Sequence, residues 1–392
     1  MADGQPLPPP PGGQPALRAS LSGRIPAREG SLPQDISLDP QGITTDAFLA
    51  YTFTGQVSGS REAVTLPAAV SATGADECTV TLGTLSYDGL ARLTDTKRYT
   101  GSGTTATNAF TEKGIAYDRN GNITALMRYG ASASAAEDDF AFNVTDNRIS
   151  SITNTGTSGS GVTYTYYTYD ANGNTTHDGR TGQDLAWNEL NLISGVSTTS
   201  GGNTSQLASY TWMADGAKYA SARADGSGYV YKDALVFERN AAGKLSLDAA
   251  LTTGGRITAQ KDASTGAVTG YTVHHHITDH LGSVRAVVDF AGNVLETSDF
   301  LPYGTRWSQT GGSSSATITD ATNRWRYSGK EEQAAALNPA LPLIDFGARM
   351  YDPAIARWMS VDPLAEKYDP IQGSLQRVEI IAAFSDICIR AA

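Results

Sequence analysis

The chain has 392 residues with 29 basic and 40 acidic side chains, and its formal net charge of −11 argues against a nucleic-acid-binding surface. The 41 glycines, 18 tyrosines and only 18% charged residues are typical of short strands joined by tight turns, so the sequence predicts an all-β protein. The sequence contains no run of about 18 apolar residues, so it predicts no membrane span. Cys78 and Cys388 form neither a disulfide framework nor a metal-ligand spacing.

The first 45 residues are rich in proline and show no apolar periodicity. They also lack the basic start and apolar block of a secretory signal peptide. Such a segment buries too little surface to offset its conformational entropy, so we expect a disordered or polyproline-like leader. A proline-rich ligand for a partner domain is the alternative to a plain linker. From Ala47 the sequence becomes alternating and β-branched, which predicts strands.

A turn motif recurs at irregular intervals through the middle of the chain. The clearest copies are Tyr-Asp-Arg-Asn-Gly-Asn-Ile at 117–123 and Tyr-Asp-Ala-Asn-Gly-Asn-Thr at 169–175, with looser variants at 87–93, 187–193, 240–245 and 289–294. In the clear copies the Asp side chain can accept from nearby backbone amides, and Gly supplies a positive φ. The sequence therefore predicts an irregular string of antiparallel β-hairpins.

The most particular residue combinations lie between positions 279 and 364. They are Asp-His-Leu-Gly-Ser-Val-Arg at 279–285, Leu-Pro-Tyr-Gly at 301–304, Arg-Tyr-Ser-Gly-Lys-Glu at 326–331, Ile-Asp-Phe-Gly-Ala-Arg-Met-Tyr-Asp-Pro at 344–353 and Arg-Trp-Met-Ser-Val-Asp-Pro-Leu at 357–364. Their order and spacing resemble the RHS repeat-associated core domain that closes bacterial RHS/YD-repeat proteins. The Tyr-Asp turns resemble the YD repeats of the same family.

The resemblance implies an organisation for the whole chain. Residues 1–45 would be a disordered proline-rich leader, 46–270 a YD-repeat-like hairpin region, 271–368 the RHS repeat-associated core, and 369–392 a divergent or truncated tail. In that family the hairpins build a sheet strip that spirals into a shell. The shell encloses or presents a C-terminal effector in toxin delivery and bacterial competition.

The function implied by this resemblance is that of a non-enzymatic scaffold, secreted or at the cell surface. In a longer relative its partners would be a C-terminal toxin or effector and the immunity protein of that toxin. No cofactor is expected.

Asp352 and Asp362, each followed by proline, and Arg349 form the one constellation in the sequence that could run a reaction. Two neighbouring carboxylates cannot both ionise cheaply, so one can act as an acid and the other as a base. The resemblance implies an aspartic-type autoprotease with Arg349 as support, which would release a C-terminal peptide. The sequence after Tyr368 departs from the family, because neither the final core strand nor a cleavage site can be matched. We favour two structural Asp-Pro corners.

Two further groups of residues have a structural and a functional interpretation. His274, His276, Asp279 and His280 suit zinc or nickel, but no glutamate base accompanies them and structural histidines are favoured. Neighbouring strand residues point to opposite faces, so His275 cannot share a site with His274 and His276.

Aromatic residues cluster in two stretches, and we interpret them as cross-strand aromatic pairs. The alternative is a carbohydrate-binding adhesin surface. These residues are Tyr164, Tyr166, Tyr167, Tyr169, Tyr210, Trp212, Tyr219, Tyr229 and Tyr231.

Overall fold

The computed structural model describes residues 35–36, 51–52, 82–100, 105–262, 264–279, 281–291, 293–307 and 323–363. Most of the predicted leader, both cysteines and the predicted tail at 369–392 lie outside these residues. The structure is built almost entirely of antiparallel β-sheets, which confirms the predicted all-β string of hairpins.

Three small sheets form the N-terminal part. The first pairs β1 (Asp35–Ile36) with β2 (Tyr51–Thr52). The second has the order β3-β4-β5, with β3 (Leu82–Tyr87), β4 (Leu93–Thr100) and β5 (Thr105–Thr107). The third is a five-stranded meander of β6 (Thr111–Tyr117), β7 (Ile123–Tyr129), β8 (Asp138–Thr145), β9 (Arg148–Asn154) and β10 (Val162–Tyr164).

A 13-stranded sheet comes next, in which each strand pairs with the next one along the chain. Its strands are β11 (Thr168–Tyr169), β12 (Thr175–Asp178), β13 (Gln183–Trp187), β14 (Ile193–Ser200), β15 (Asn203–Trp212), β16 (Lys218–Ala222), β17 (Gly228–Lys232), β18 (Leu235–Arg239), β19 (Leu245–Thr252), β20 (Gly255–Lys261), β21 (Val268–Thr278), β22 (Val284–Asp289) and β23 (Val294–Thr297). The sheet therefore runs without a break in strand order across residue 270.

The remaining elements are short. A two-stranded pair joins β24 (Asp299–Phe300) and β25 (Arg306–Trp307). Residues 323–363, which we call the C-terminal core, hold a 3₁₀ turn at Tyr327–Gly329, the helix α1 (Gln333–Ala336) and a four-stranded sheet. That sheet contains β26 (Glu331–Glu332), β27 (Ile344–Asp345), β28 (Met350–Asp352) and β29 (Arg357–Trp358).

The predicted turn chemistry is present in the clear copies of the repeat. Asp118 Oδ1 accepts from the backbone N–H groups of Asn120 at 2.9 Å and Asn122 at 2.8 Å. Gly121 has a φ of +86°, which only glycine adopts without strain. The second copy repeats these bonds at Asp170, so the sequence motif encodes one turn geometry.

Aromatic residues at the ends of strands also tie successive hairpins together. Each hydroxyl or indole N–H donates to the carbonyl of a residue at or near the start of a strand in the preceding hairpin. The bonds are Tyr117 Oη to Leu93 at 2.6 Å, Tyr169 Oη to Ile149 at 3.1 Å, Trp187 Nε1 to Thr175 at 2.8 Å and Trp212 Nε1 to Ile193 at 2.7 Å. We call these bonds the aromatic stitches.

Three of the tyrosines do not form the expected cross-strand aromatic pairs. Tyr210 lies opposite Ser221, Tyr229 opposite Glu238 and Tyr231 opposite Val236, so the expectation of cross-strand pairs is wrong for these three residues. Tyr210 instead contacts the ring of Trp212 in its own strand, with 6.4 Å between the ring centroids. The rings of the three tyrosines face inward, against the apolar core.

The C-terminal core packs on both the five-stranded and the 13-stranded sheet. One apolar cluster joins Val196 and Tyr210 of the 13-stranded sheet to Leu341 and Met350 of the core. A second cluster joins the five-stranded sheet to Tyr303 and to Ile355 and Ala356. Each fully buried aliphatic side chain contributes about 1.5–3 kcal/mol, so the core is held between the two sheets by burial before any charge is considered.

Candidate functional site

Asp352 is fully buried at the end of β28. Its Oδ1 accepts from the backbone N–H of Ala354 at 2.8 Å, which is the corner predicted for an Asp-Pro pair. Its Oδ2 accepts from Nη2 of Arg180 in the turn between β12 and β13. Burial raises the pKa of Asp352, and the attraction of Arg180 offsets part of that rise.

Arg349 and Asp362 form a separate ion pair, with 2.9 Å between Arg349 Nη2 and Asp362 Oδ2. The Arg349 guanidinium also lies over the Trp358 ring, 4.3 Å from its centroid. Burial lowers the pKa of Arg349, and Asp362 opposes that change. Of the three predicted site residues, the structure thus brings Arg349 to Asp362, whereas the arginine bound to Asp352 is Arg180.

Asp178 is a second buried carboxylate beside Asp352. Its side chain accepts from the backbone N–H of Arg180 and from the hydroxyl of Thr181, both at 2.9 Å. The negative charge of Asp178 raises the pKa of Asp352 further. Tyr167 lies in the same field, because burial and then Asp178 raise the pKa of its hydroxyl.

Sequence reasoning missed Asp178 and Arg180. The Asp-Gly-Arg-Thr-Gly stretch at 178–182 predicts a turn, but Arg180 is 172 residues away from Asp352. No local pattern indicates that this turn is buried under the C-terminal core.

Arg128 of β7 holds the residues after Asp352 from the other side. Its guanidinium donates to the carbonyls of Ala354 at 2.9 Å and Pro353 at 3.2 Å. The same group pairs with Glu112 at 2.8 Å and Asp138 at 3.1 Å. The five-stranded sheet therefore contributes a fully paired cation to the backbone of the core.

A larger buried network joins the core to the 13-stranded sheet. Lys218 Nζ lies 2.6 Å from Glu331 Oε2 and 2.6 Å from Asp345 Oδ2. Glu331 also accepts from Tyr231 Oη at 2.9 Å and from Arg324 Nε at 3.1 Å. Burial alone would raise the pKa of Glu331, but the attraction of Lys218 and Arg324 outweighs it and lowers the pKa to about 2.

Several further residues of the RHS-like motifs also make internal contacts. Arg326 pairs with Glu296 at 2.6 Å, and Tyr351 donates to the carbonyl of Tyr303 at 2.9 Å. At Gly304 an added Cβ would lie 2.7 Å from the Tyr327 ring, so the close approach requires glycine. These motif residues build the interior of the protein.

The histidines of β21 divide between two faces, as the sequence predicts. His276 Nε2 lies 2.9 Å from Nη1 of buried Arg256, whereas His275 is exposed. The part of the chain that the structure describes contains no group of three or more side chains able to hold a metal ion, and His280 lies outside it.

Among the aromatic residues, Tyr166 and Trp212 differ in exposure. Tyr166 is 70% exposed, has a φ of +70°, and contacts the His177 ring edge-to-face at 4.7 Å. His177 Nδ1 lies 2.6 Å from Asp184 Oδ1. Trp212 is half-buried against the apolar core and donates an aromatic stitch.

No helix among the described residues has the length and apolar character needed to cross a bilayer. No protein-family model matches the chain. A stretch of 92 residues, 24% of the chain, is 34% identical to salivary gland surface protein 1 of Aedes aegypti and corresponds to 2% of that protein.

Two solved structures show the scale of the structural similarity. A structure of the Photorhabdus luminescens Tc holotoxin pore with a mutant TccC3 aligns with 79% of this chain and 18% of its own, with a TM-score of 0.44 and 14% identity. The crystal structure of TcdB2-TccC3-TEV aligns with 72% of this chain and 17% of its own, with a TM-score of 0.39 and 16% identity. The chain thus spans less than a fifth of the length of either.

Proposed function

We propose that this chain is a non-enzymatic β-rich scaffold, a shell segment of an RHS-family protein. The observation that carries the proposal is the buried docking of the C-terminal core. Arg128, Arg180 and Lys218, from three places on the sheets, each bind a carboxylate or carbonyl of the core. Charges placed in this way fix the core in one position on the sheets, which suits a wall that presents a cargo at its C-terminal side.

The biological setting of such a segment is inferred from the RHS-like motifs. A longer protein that contains this strip would be secreted or at the cell surface, and would enclose or present a C-terminal toxin or effector. The immunity protein for that toxin would be a further partner. The support for this step is the run of motifs from 279 to 364 together with the hairpin architecture.

The docking can be tested by cutting the chain between the sheets and the core. A site-specific protease sequence is inserted within residues 308–322, and the purified protein is cut and passed over a sizing column at neutral pH. We expect the fragment that begins near residue 323 to co-elute with the sheets. Its separation without denaturant would contradict the scaffold proposal. The same cut in an Arg128→Met, Lys218→Met variant is the control, and there the fragments should separate.

Aspartic-type autoproteolysis by Asp352 and Asp362, with Arg349 as support, is the second candidate. It is favoured by the complete burial and raised pKa of Asp352, because a carboxyl that holds its proton can act as an acid. The intact mass after one day at mildly acidic pH tests it. A defined cut near Asp362 that Asp352→Asn abolishes would establish the activity, and a single uncut species would reject it and leave a scaffold or binding role.

A carbohydrate-binding surface is the third candidate, favoured by the exposed ring of Tyr166 beside His177 and Asp184. A glycan array compares the protein with its Tyr166→Ala and Trp212→Ala variants. Trp212 packs against the apolar core and donates an aromatic stitch, so its replacement should lower stability. Only Tyr166→Ala should remove a glycan signal. An array without any signal would reject this candidate.

A further inference from the structure

Lys218 of β16 lies between two carboxylates of the C-terminal core. Its Nζ is 2.6 Å from Glu331 Oε2 and 2.6 Å from Asp345 Oδ2. The two acids lie directly opposite each other on β26 and β27, and each of their side chains is only 5% exposed. An amine and two carboxyl groups are thus held in contact in a place almost closed to water.

The two carboxylates have different further partners. Glu331 also accepts from Arg324 Nε at 3.1 Å and from Tyr231 Oη at 2.9 Å, and both contacts stabilise its charged form. Asp345 Oδ1 accepts from the backbone N–H of Gly347 at 2.7 Å. Because an amine attacks the uncharged form of a carboxyl group, Asp345 is the acid open to attack. Glu331 stays available to carry a proton.

We propose that Lys218 and Asp345 condense to an internal amide bond, an isopeptide cross-link that ties β16 covalently to β27. The Nζ–Cγ bond forms, and the Cγ–Oδ2 bond of Asp345 breaks. Two of the three ammonium protons leave with Oδ2 as water, and the third stays on the amide nitrogen. Nothing is oxidised or reduced, and Glu331 is ionised before and after the reaction.

The contacts provide each group that this reaction needs. The attack requires the neutral amine, and Glu331 Oε2 is placed to take a proton from Nζ and to return it to the departing oxygen. Negative charge that develops on Asp345 Oδ1 is met by the Gly347 N–H, as oxyanions of acyl transfer are met by backbone donors. The amine and the acid are already in contact, so no entropy is lost in bringing them together.

Burial favours the product over the ion pair. Two buried charges lose their hydration, whereas an amide is neutral, and water that would reverse the reaction is excluded. Burial alone would lower the pKa of Lys218, but the attraction of Glu331 and Asp345 outweighs it and raises that pKa. The ammonium is therefore the resting form, so the chain folds with the ion pair in place and the bond forms slowly afterwards.

The condensation leaves the charge balance of its surroundings unchanged. It removes one positive and one negative charge together. Arg324 keeps its two carboxylate partners, Glu331 at 3.1 Å and Asp248 at 3.0 Å. No uncompensated charge is created in the interior.

The intact mass of the full chain tests the bond directly. The purified protein is incubated for one day at neutral pH and weighed under denaturing conditions. We expect a mass that is lower than the encoded mass by one water molecule, and a branched peptide joining Lys218 to Asp345 after digestion. The encoded mass, with no such peptide, would overturn the proposal.

Two lysine variants show whether the position of Lys218 matters. Lys218→Arg should have its full encoded mass. Lys261→Arg is the matched control, because Lys261 Nζ also lies 2.6 Å from a carboxylate, but the side chain of that acid, Glu238, is 47% exposed. Lys261→Arg should therefore still lose one water. The same loss in Lys218→Arg would contradict the proposed site.

A denaturing gel gives a second measurement on a chain with unchanged strands. The chain with a protease site within residues 308–322 is incubated, cut and run in detergent. The sheets and the core fragment should run as one band, because the cross-link spans the cut. A cyclised Asp-Gly pair would also lose one water but would leave two bands, and two bands would overturn the proposal.

The role of Glu331 is tested by the rate of the reaction. Glu331→Gln should slow the loss of water at least about a hundredfold, since a positioned acid or base contributes that much. Glu332→Gln, whose acid bonds Arg326 at 2.8 Å, is the control and should react at the rate of the unmodified chain. Equal rates in the two variants would reject Glu331 as the proton carrier.

The cross-link goes beyond the scaffold role, and the two can fail separately. Fragments that co-elute without denaturant but separate in detergent would reject the bond and leave the docking of the core supported. Fragments that separate without denaturant would contradict both.

Discussion

The strands β3 to β23, which we call the hairpin strip, and the C-terminal core are held by different kinds of bond. In the strip, neutral side chains donate hydrogen bonds to residues close in the sequence. Trp187 and Thr175, for example, are 12 residues apart. In the core, charged groups reach much further, as in the 127 residues between Lys218 and Asp345. The aromatic stitches therefore join strands that lie close together in the sequence. The core depends on its contacts with the sheets, because its charges are stable in the interior only beside their partners.

Breaking the buried network should have the largest effect. Glu331→Gln removes the carboxylate that Lys218, Arg324 and Tyr231 share, which leaves two buried cations with fewer partners. We expect a loss of about 3–5 kcal/mol in the free energy of unfolding, measured by urea denaturation. Glu189→Gln, at an exposed turn, is the matched control and should stay within about 0.5 kcal/mol. A loss below about 1 kcal/mol for Glu331→Gln would show that the network is not what holds the core.

Acid should reproduce part of that loss in the unmodified protein. The pKa of Glu331 is lowered on folding to about 2, so its contribution to stability is full above the unfolded value and is lost as the pH falls from about 4.5 toward 2. We expect the stability difference between the unmodified chain and Glu331→Gln to shrink by about 3 kcal/mol over that range. A difference that stays constant with pH would mean that folding does not change the pKa of Glu331.

Local features of the fold were predictable from the sequence, because they are set within a few residues. The turn at Asp118 and Asn122 is one case, since an Asp side chain and a nearby glycine determine it without help from distant residues. The inner and outer faces of His274, His275 and His276 can be assigned in the same way from strand alternation.

The hydrogen bonds that join the hairpins were harder to predict from the sequence than the turns. The aromatic residues were assigned to strands, but a sequence does not show that Trp187 and Trp212 donate to the backbone of the preceding hairpin. The candidate site was the least predictable part, because Arg180 and Asp352 are 172 residues apart in the sequence and meet only in the folded protein. Proximity in sequence favoured Arg349, and the structure places Arg349 on Asp362.

The aromatic stitches should have a smaller effect than the buried charges, and Tyr169 tests them. Its hydroxyl accepts from the N–H of Ile149 at 2.9 Å and donates to the carbonyl of the same residue at 3.1 Å. Tyr169→Phe leaves both backbone groups unpaired in a partly buried place, so we expect a loss of about 1–3 kcal/mol in urea denaturation. Tyr166→Phe is the control in the same stretch. Its ring is exposed, and its loss should stay below about 0.5 kcal/mol. Equal losses of unfolding free energy in the two variants would show that the aromatic stitch of Tyr169 does not stabilise the protein.

The smallest expected effect concerns a neutral contact between neighbouring turns. Asn147 has a φ of +62°, and its Oδ1 accepts from the side-chain amides of Asn120 at 3.0 Å and Asn122 at 2.8 Å. Asn147→Gly removes the acceptor but keeps the backbone unstrained, so it should lower the free energy of unfolding by about 1 kcal/mol.

Asn147→Ala removes the same acceptor and adds left-handed strain, which should lower the free energy by about 1 kcal/mol more. If the glycine variant is as stable as the unmodified chain and only the alanine variant is weakened, the turn conformation matters and the contact between turns does not. The strip would then be joined by its strands and aromatic stitches alone. If both variants lose stability in the expected order, the asparagines of the repeat serve two purposes, because they close one turn and hold the next.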